Sequence, residues 1–200
     1  MLVVVHSRMQ TLEQKPNTKR PSIVRSATSL FAEKGIDATS MRAIADAAGV
    51  REAAIYRHFA GKDELAREIF VSWYGWYCAE LQRIVSGPGG TIAKLGAIVR
   101  HEFAAAAEHS EAFVYFCENE ARFVRDLPPG IMSARRVYTA FIKAGQESGE
   151  VGPASPELLA DMLSGALCAV ALTWLRTGRR RKLDSQLTDV VQSCWRMIAG

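Results

Sequence analysis

Between Thr39 and Lys62 the chain reads TSMRAIADAAGVREAAIYRHFAGK, with its polar side chains at the spacing of an exposed helical face. Arg51, Glu52, Tyr56 and Arg57 fall on one side of a short helix, and Ala54, Ile55 and Phe59 on the other. An arginine can donate two bonds to guanine O6 and N7, and a glutamate can accept from cytosine N4. Thr39 or Ser40, at the start of the preceding helix, offers a hydroxyl and free backbone N–H groups suited to a phosphate, or a simple N-cap. Ala53 permits close backbone approach or contact with a thymine methyl.

Elements that position these groups follow from the periodicity. Met41, Ile44, Ala45 and Ala48 form the apolar stripe of one helix, Gly49-Val50 makes a turn, and a second helix spans about 51–58. Helix, tight glycine turn and a second helix with outward polar groups is the helix-turn-helix plan for reading a major groove. A helix from Pro21 to Lys34, with Ile23, Ala27, Leu30 and Phe31 inward and Gly35 as its stop, precedes it. A long helix opens at Lys62 and runs to about Val85. Lys62 is poorly placed for the helix dipole, and a phosphate contact accounts for it. Lys19 and Arg20 could form a basic arm.

The whole chain of 200 residues is long enough for one large or two small domains. Alternating Val/Ile/Thr runs are scarce, whereas Ala, Leu, Glu and Arg fill long windows, which favours an all-α chain. Through Lys62 ten basic and five acidic residues leave a formal charge of +5, against −1 over the remainder. That imbalance suits a polyanion-binding module, although a solvated charged surface gives the same count. Cys78, Cys117, Cys168 and Cys194 are far apart, with no CxxC pair, and read as small hydrophobes of a reducing compartment; a redox thiol is the alternative. His101-Glu102 and Glu108-His109 match no standard metal spacing, and no cofactor is implied. No paired carboxylates, nucleophile-base set or phosphate-cradling glycine loop suggests an enzyme. Leu2 to Val5 is too short for a secretory signal, with Met9 an alternative start, and Met162–Leu175 falls short of the roughly 20 residues that span a bilayer.

After Ser86-Gly87-Pro88-Gly89-Gly90 the periodicity predicts helices at 91–108, 110–124 and 131–148, one opening at the Ser155 N-cap and running to about Arg176, and a last one capped by Asp184. The basic run Arg179–Lys182 reads as a solvated loop between the last two.

The run LFAEKGIDATSMRAIADAAGVREAAIYRHFAGKDEL resembles the DNA-binding signature of the TetR family of bacterial transcriptional regulators. Leu30-Phe31, Gly35, Thr39-Ser40, Ile44-Ala45, Ala48-Gly49-Val50, Ile55-Tyr56, His58-Phe59, Lys62 and Leu65 carry the match, which covers about residues 22–70. Arg51 stands where the family commonly has Ser or Thr, and Ala54 replaces a frequent small hydroxyl residue.

The resemblance implies an all-α fold of about nine helices: a basic arm at 1–20, a helix-turn-helix domain at 21–66 and a helical effector-binding and dimerisation domain at 67–200. It implies phosphate contacts from Tyr56 and His58, with a packed core histidine as the rival role for His58. It implies a cytoplasmic homodimer that binds palindromic operator DNA, most often as a repressor, and is released by a small molecule. Candidate effector contacts are Trp73, Trp76, Tyr77, His101, Phe103, Phe113, Phe116, Glu120, Phe123 and Phe141, which suggest an apolar or aromatic ligand; plain core is the alternative. Expected dimer contacts are Leu159, Leu163, Ala166, Leu167, Val170, Trp174, Leu187, Val191, Cys194 and Ile198; Leu158 and Met162 belong to the same apolar run, Ser164-Gly165-Ala166 and Ala169 allow close helix approach, and the same stripes could serve as an internal core. The alternatives are a ligand-independent or architectural DNA binder and a helical enzyme carrying this fold.

Overall fold

The structure, a computed structural model, describes residues 19–178 and 183–199. Residues 1–18 of the expected arm and the Arg179–Lys182 run lie outside the described residues. Among the described residues there are nine α-helices and no strand: α1 Arg20–Lys34, α2 Met41–Ala48, α3 Glu52–Tyr56, α4 Lys62–Ser86, α5 Thr91–Glu108, α6 Ser110–Phe123, α7 Ala134–Glu147, α8 Pro156–Arg176 and α9 Leu187–Ala199. One 3-10 turn follows α6 at Val124–Asp126 and another, Leu183–Gln186, precedes α9. The last α-helix therefore starts three residues after Asp184, with the tighter turn between them.

The helices divide into two compact units. Of the described residues, the first comprises those up to Trp76 together with Glu111–Pro128, and the second comprises Tyr77–Ser110 and those from Pro129 on. Helix α4 contributes residues to both. The boundary expected at residue 66 thus differs from the compact division, and α6 packs with the helix-turn-helix rather than with the later helices.

In the first unit Ile23, Ala27 and Phe31 of α1, Ile44 and Ala45 of α2, Ile55 and Phe59 around α3, and Leu65, Ile69 and Phe70 of α4 are all buried. Pro21 in the first turn and Gly35 at φ 81° bound α1. Gly49 adopts φ 65°, the left-handed region that a side chain would strain, and this reverses the chain between α2 and α3. Helix α6 joins this unit through the Phe31–Tyr115 ring stack, 5.7 Å between centroids, and through the Tyr115 hydroxyl, which donates to the Ala66 carbonyl at 2.7 Å.

In the second unit α7 packs on α8, and α5 packs on both α8 and α9. Ser155 caps α8, its hydroxyl accepting from Leu158 N at 3.3 Å. Gly145 of α7 sits where an added Cβ would lie 2.4 Å from Val151 Cγ2 and 3.1 Å from Thr91 Cγ2. Both neighbours are buried and β-branched, so neither can swing away. Gly145→Ala will destabilise the protein by about 1–2 kcal/mol, the clash outweighing the gain in helix propensity. Urea denaturation checks this value.

Candidate DNA-binding surface

Ser40 is exposed, and its hydroxyl accepts from Ala43 N at 3.1 Å as the N-cap of α2. Thr39, by contrast, is 2% exposed and donates its hydroxyl to the Gly35 carbonyl at 2.8 Å. Its side chain ties the α1–α2 loop together and is withdrawn from the phosphate role expected of it; Ser40 alone keeps that option. Ser40→Ala will cost about 1 kcal/mol of stability by removing the cap, while Ser40→Gly costs only a few tenths. Thermal denaturation of the two variants beside DNA affinity separates cap from phosphate contact: a phosphate-binding hydroxyl weakens DNA binding in both.

Helix α3 is shorter than the 51–58 span expected. Arg51 is its N-cap, with extended backbone (φ −77°, ψ 145°), and the helix closes at Tyr56. The Arg51 guanidinium therefore leads the helix instead of lying on its first turn. Arg51, Glu52, Ala53, Tyr56, Arg57 and His58 are all exposed, whereas Ala54, Ile55 and Phe59 are buried. Tyr56 is 52% exposed, an unusual setting for a large aromatic ring. The exposure of His58 removes its rival role as a packed core histidine.

Lys62 opens α4 half-buried, and its ammonium donates to the Asp37 carbonyl at 3.2 Å. Arg20 is the first residue of α1 and no part of an arm. It pairs with Glu68 and lies over the Phe59 ring, 5.1 Å from the centroid, which commits its charge to the fold; partial burial also lowers its pKa. Lys19, one residue earlier, remains exposed.

The candidate effector contacts divide between the units. In the first, Trp73 and Trp76 meet edge to face at 5.0 Å, Phe113 meets Phe116 at 5.4 Å, and Phe123 meets Phe70 at 5.2 Å. Glu120 accepts from the Tyr74 hydroxyl at 2.6 Å. In the second, Phe103 and Phe141 are buried, and His101 stacks on Tyr77 at 4.8 Å while its Nε2 lies 3.1 Å from the Tyr77 carbonyl. Burial pushes the His101 imidazole below its ordinary pKa. The Tyr77 hydroxyl donates to Glu102, a carboxylate only 2% exposed, and lies 3.5 Å from the Tyr138 hydroxyl. Burial first, and then the Glu102 charge, hold both tyrosines protonated well above their usual range.

Tyr74, Glu102 and Tyr138 were not among the expected contacts. Glu102 could have been found, because it falls at helical spacing between Leu95, Ile98 and Ala106 on an otherwise apolar stripe. A cavity of about 160 Å3 in the second unit is lined by Val85, Thr91, Lys94, Phe141, Ala144 and Glu150 among others; of the expected contacts it touches Phe141. Among the described residues no cluster of three His, Cys, Asp or Glu side chains has the arrangement of a metal site.

Of the expected dimer contacts, Leu159, Leu163, Leu167, Cys194 and Ile198 are buried within the protomer itself. Ala166, Val170, Trp174, Leu187 and Val191 are half-buried. The exposed stripe of α8 comprises Leu158, Met162, Gly165, Ala169 and Thr173, at successive helical turns, with Leu158 55% and Met162 45% exposed. With 21 residues and a window of mean hydropathy 1.8, α8 is also long and apolar enough, by length and composition, to cross a membrane.

A tri-helical unit that exposes the polar face of its third helix at a glycine turn defines a helix-turn-helix DNA-binding protein. Residues 23–69 match the family model described as bacterial regulatory proteins, tetR family. That match gives residues 23–69 the DNA-binding region of the tetR type, found in transcriptional regulators rather than enzymes.

The HTH-type transcriptional repressor KstR2 of Mycolicibacterium smegmatis is 31% identical over 114 residues, which span 57% of this chain and 55% of that protein. KstR2 of Mycobacterium tuberculosis is 27% identical over 176 residues, 85% of this chain and 88% of the relative. Its solved structure, titled a ketosteroid transcriptional regulator, superposes with a TM-score of 0.76 over 93% of this chain and 97% of the other, at 22% identity. FadR of Bacillus subtilis, solved in complex with stearoyl-CoA, gives a TM-score of 0.71 at 17% identity over 87% of this chain and 96% of that one. At these identities the structural likeness speaks to the fold.

Proposed function

We propose that the protein is a cytoplasmic repressor that binds a palindromic operator as a homodimer and leaves it when a small, largely apolar effector binds. The observation that carries the DNA reading is the two-sidedness of α3 and its flanks. Arg51, Glu52, Ala53, Tyr56, Arg57 and His58 face solvent while Ala54, Ile55 and Phe59 anchor the helix from behind. Ser40, Lys62 and Lys19 supply phosphate contacts on its flanks.

One helix-turn-helix reads only a few base pairs, so useful specificity calls for two copies about 34–36 Å apart or a multiple of that. The exposed α8 stripe is suited to the second copy. Leu158 and Met162 provide apolar area, and Gly165 and Ala169 permit close helix approach. Its edge carries the Arg135–Asp161 pair, with two N–O contacts of 2.7 and 3.0 Å, a polar rim that suits a protein partner.

The apolar character of the effector rests on the buried aromatic side chains of both units, and relatives titled for a ketosteroid and for stearoyl-CoA point the same way. Effector binding must favour a state with weaker DNA affinity, since only differential affinity shifts the equilibrium. The test is fluorescence anisotropy on a duplex recovered by selection with this protein, titrated with stearoyl-CoA and with a panel of 3-ketosteroids. Release by at least one class is expected; unchanged DNA affinity at saturating occupancy of a bound ligand defeats the effector part of the reading.

A further inference from the structure

We propose that Arg122, at the end of α6, is a positioning residue for DNA binding that holds two carboxylates away from the phosphate contact made by Lys62. The inference rests on the DNA-binding reading of Lys62 given above. Arg122 Nη1 lies 3.3 Å from Asp37 Oδ1 and Nη2 lies 3.1 Å from Asp63 Oδ1. Asp63 is the residue after Lys62, and Asp37 offers its carbonyl to the Lys62 ammonium at 3.2 Å. Asp37 is therefore a node, with its backbone oxygen on Lys62 and its carboxylate on Arg122.

The two acids are the most exposed members of the group, at 90% and 81%, against 40% for Arg122. Pairs this exposed add little to stability. Their effect on a neighbouring polyanion is larger. With Arg122 in place the four side chains sum to zero charge; without it they carry one net negative charge within a Debye length, about 8 Å at physiological salt, of the Lys62 phosphate. Both terminal nitrogens of the guanidinium face the two carboxylates, so its charge acts on DNA through Asp37 and Asp63. Nothing in the helix-turn-helix sequence alone reveals this, because the arginine lies 85 residues from one partner and 59 from the other.

The experiment measures the affinity of full-length Arg122→Ala, Arg122→Lys and the triple variant Arg122→Ala/Asp37→Asn/Asp63→Asn for a 30-bp duplex selected with the wild-type protein. At about 50 mM salt Arg122→Ala binds roughly 3–10-fold more weakly, and the gap narrows as salt rises. Arg122→Lys recovers most of the loss, and the triple variant binds at least as tightly as wild type, because it removes the carboxylates that Arg122 restrains and leaves Lys62 with a net charge of +1. Thermal midpoints stay together throughout. Wild-type affinity in Arg122→Ala overturns the proposal. So does a triple variant as weak as Arg122→Ala, which would mean that the guanidinium itself touches phosphate. Failure of the wild-type protein to bind any selected duplex would instead remove the DNA-binding reading on which the proposal stands.

Discussion

Leu158→Glu combined with Met162→Glu gives a folded monomer that binds its DNA site at least about 100-fold more weakly than wild type. Both side chains are roughly half exposed on α8, so the substitutions leave the protomer core intact. In a two-fold dimer the same stripe meets itself, so each substitution appears twice and four carboxylates face one another across an apolar contact. Desolvating and opposing them costs several kcal/mol, enough to separate subunits at micromolar concentration. DNA affinity then falls because two linked half-site contacts become two independent ones, and the avidity of linkage is worth 10²–10⁴. Sedimentation velocity gives the mass, circular dichroism checks the fold, and anisotropy gives the affinity. A double variant that stays dimeric would show that the stripe is not the interface.

Arg51→Ala carries the second large effect. Arg51 stands exposed at the N-cap of α3, ahead of the helix proposed to enter the groove. A bidentate arginine–guanine contact is worth about 1–3 kcal/mol of discrimination, and a symmetric site contains it twice. The variant loses about 10-fold or more in affinity for the best site, and its preference at one base pair in each half-site flattens. Arg57→Ala, at the C-cap of the same helix, should weaken binding evenly across sequences, as a phosphate contact does. Selection on random duplexes with each variant distinguishes the two. A sequence preference unchanged in Arg51→Ala would displace Arg51 from the reading position.

Much of the architecture was legible because helical signals are local. The Gly-Pro-Gly-Gly break, the Ser155-Pro156 start and the turn at Gly49-Val50 fix element ends within a few residues, and the 91–108 helix matches its expected span. Long-range assignments were not. Helix α6 packs with the helix-turn-helix through Tyr115 on the Ala66 carbonyl, Glu120 with Tyr74, and Arg122 with Asp37, pairings 46 to 85 residues apart that leave no periodic trace.

Helix α8 is ambiguous for a different reason. It is apolar almost all round, so the spacing identifies two stripes without saying which faces inward; Leu159, Leu163 and Leu167 took the core, and Leu158 and Met162 stayed outside. For Thr39 and Arg20, residue type suggests a polar contact but not its partner, here the Gly35 carbonyl for one and Glu68 with Phe59 for the other.

The most direct test of the central claim is selection from a random duplex library with the purified full-length protein, followed by sequencing of the bound pool. Enrichment of a palindrome whose half-site centres lie about 10 base pairs, or a multiple, apart is the expected result. A pool with no enriched sequence, bound only as salt permits, would contradict it.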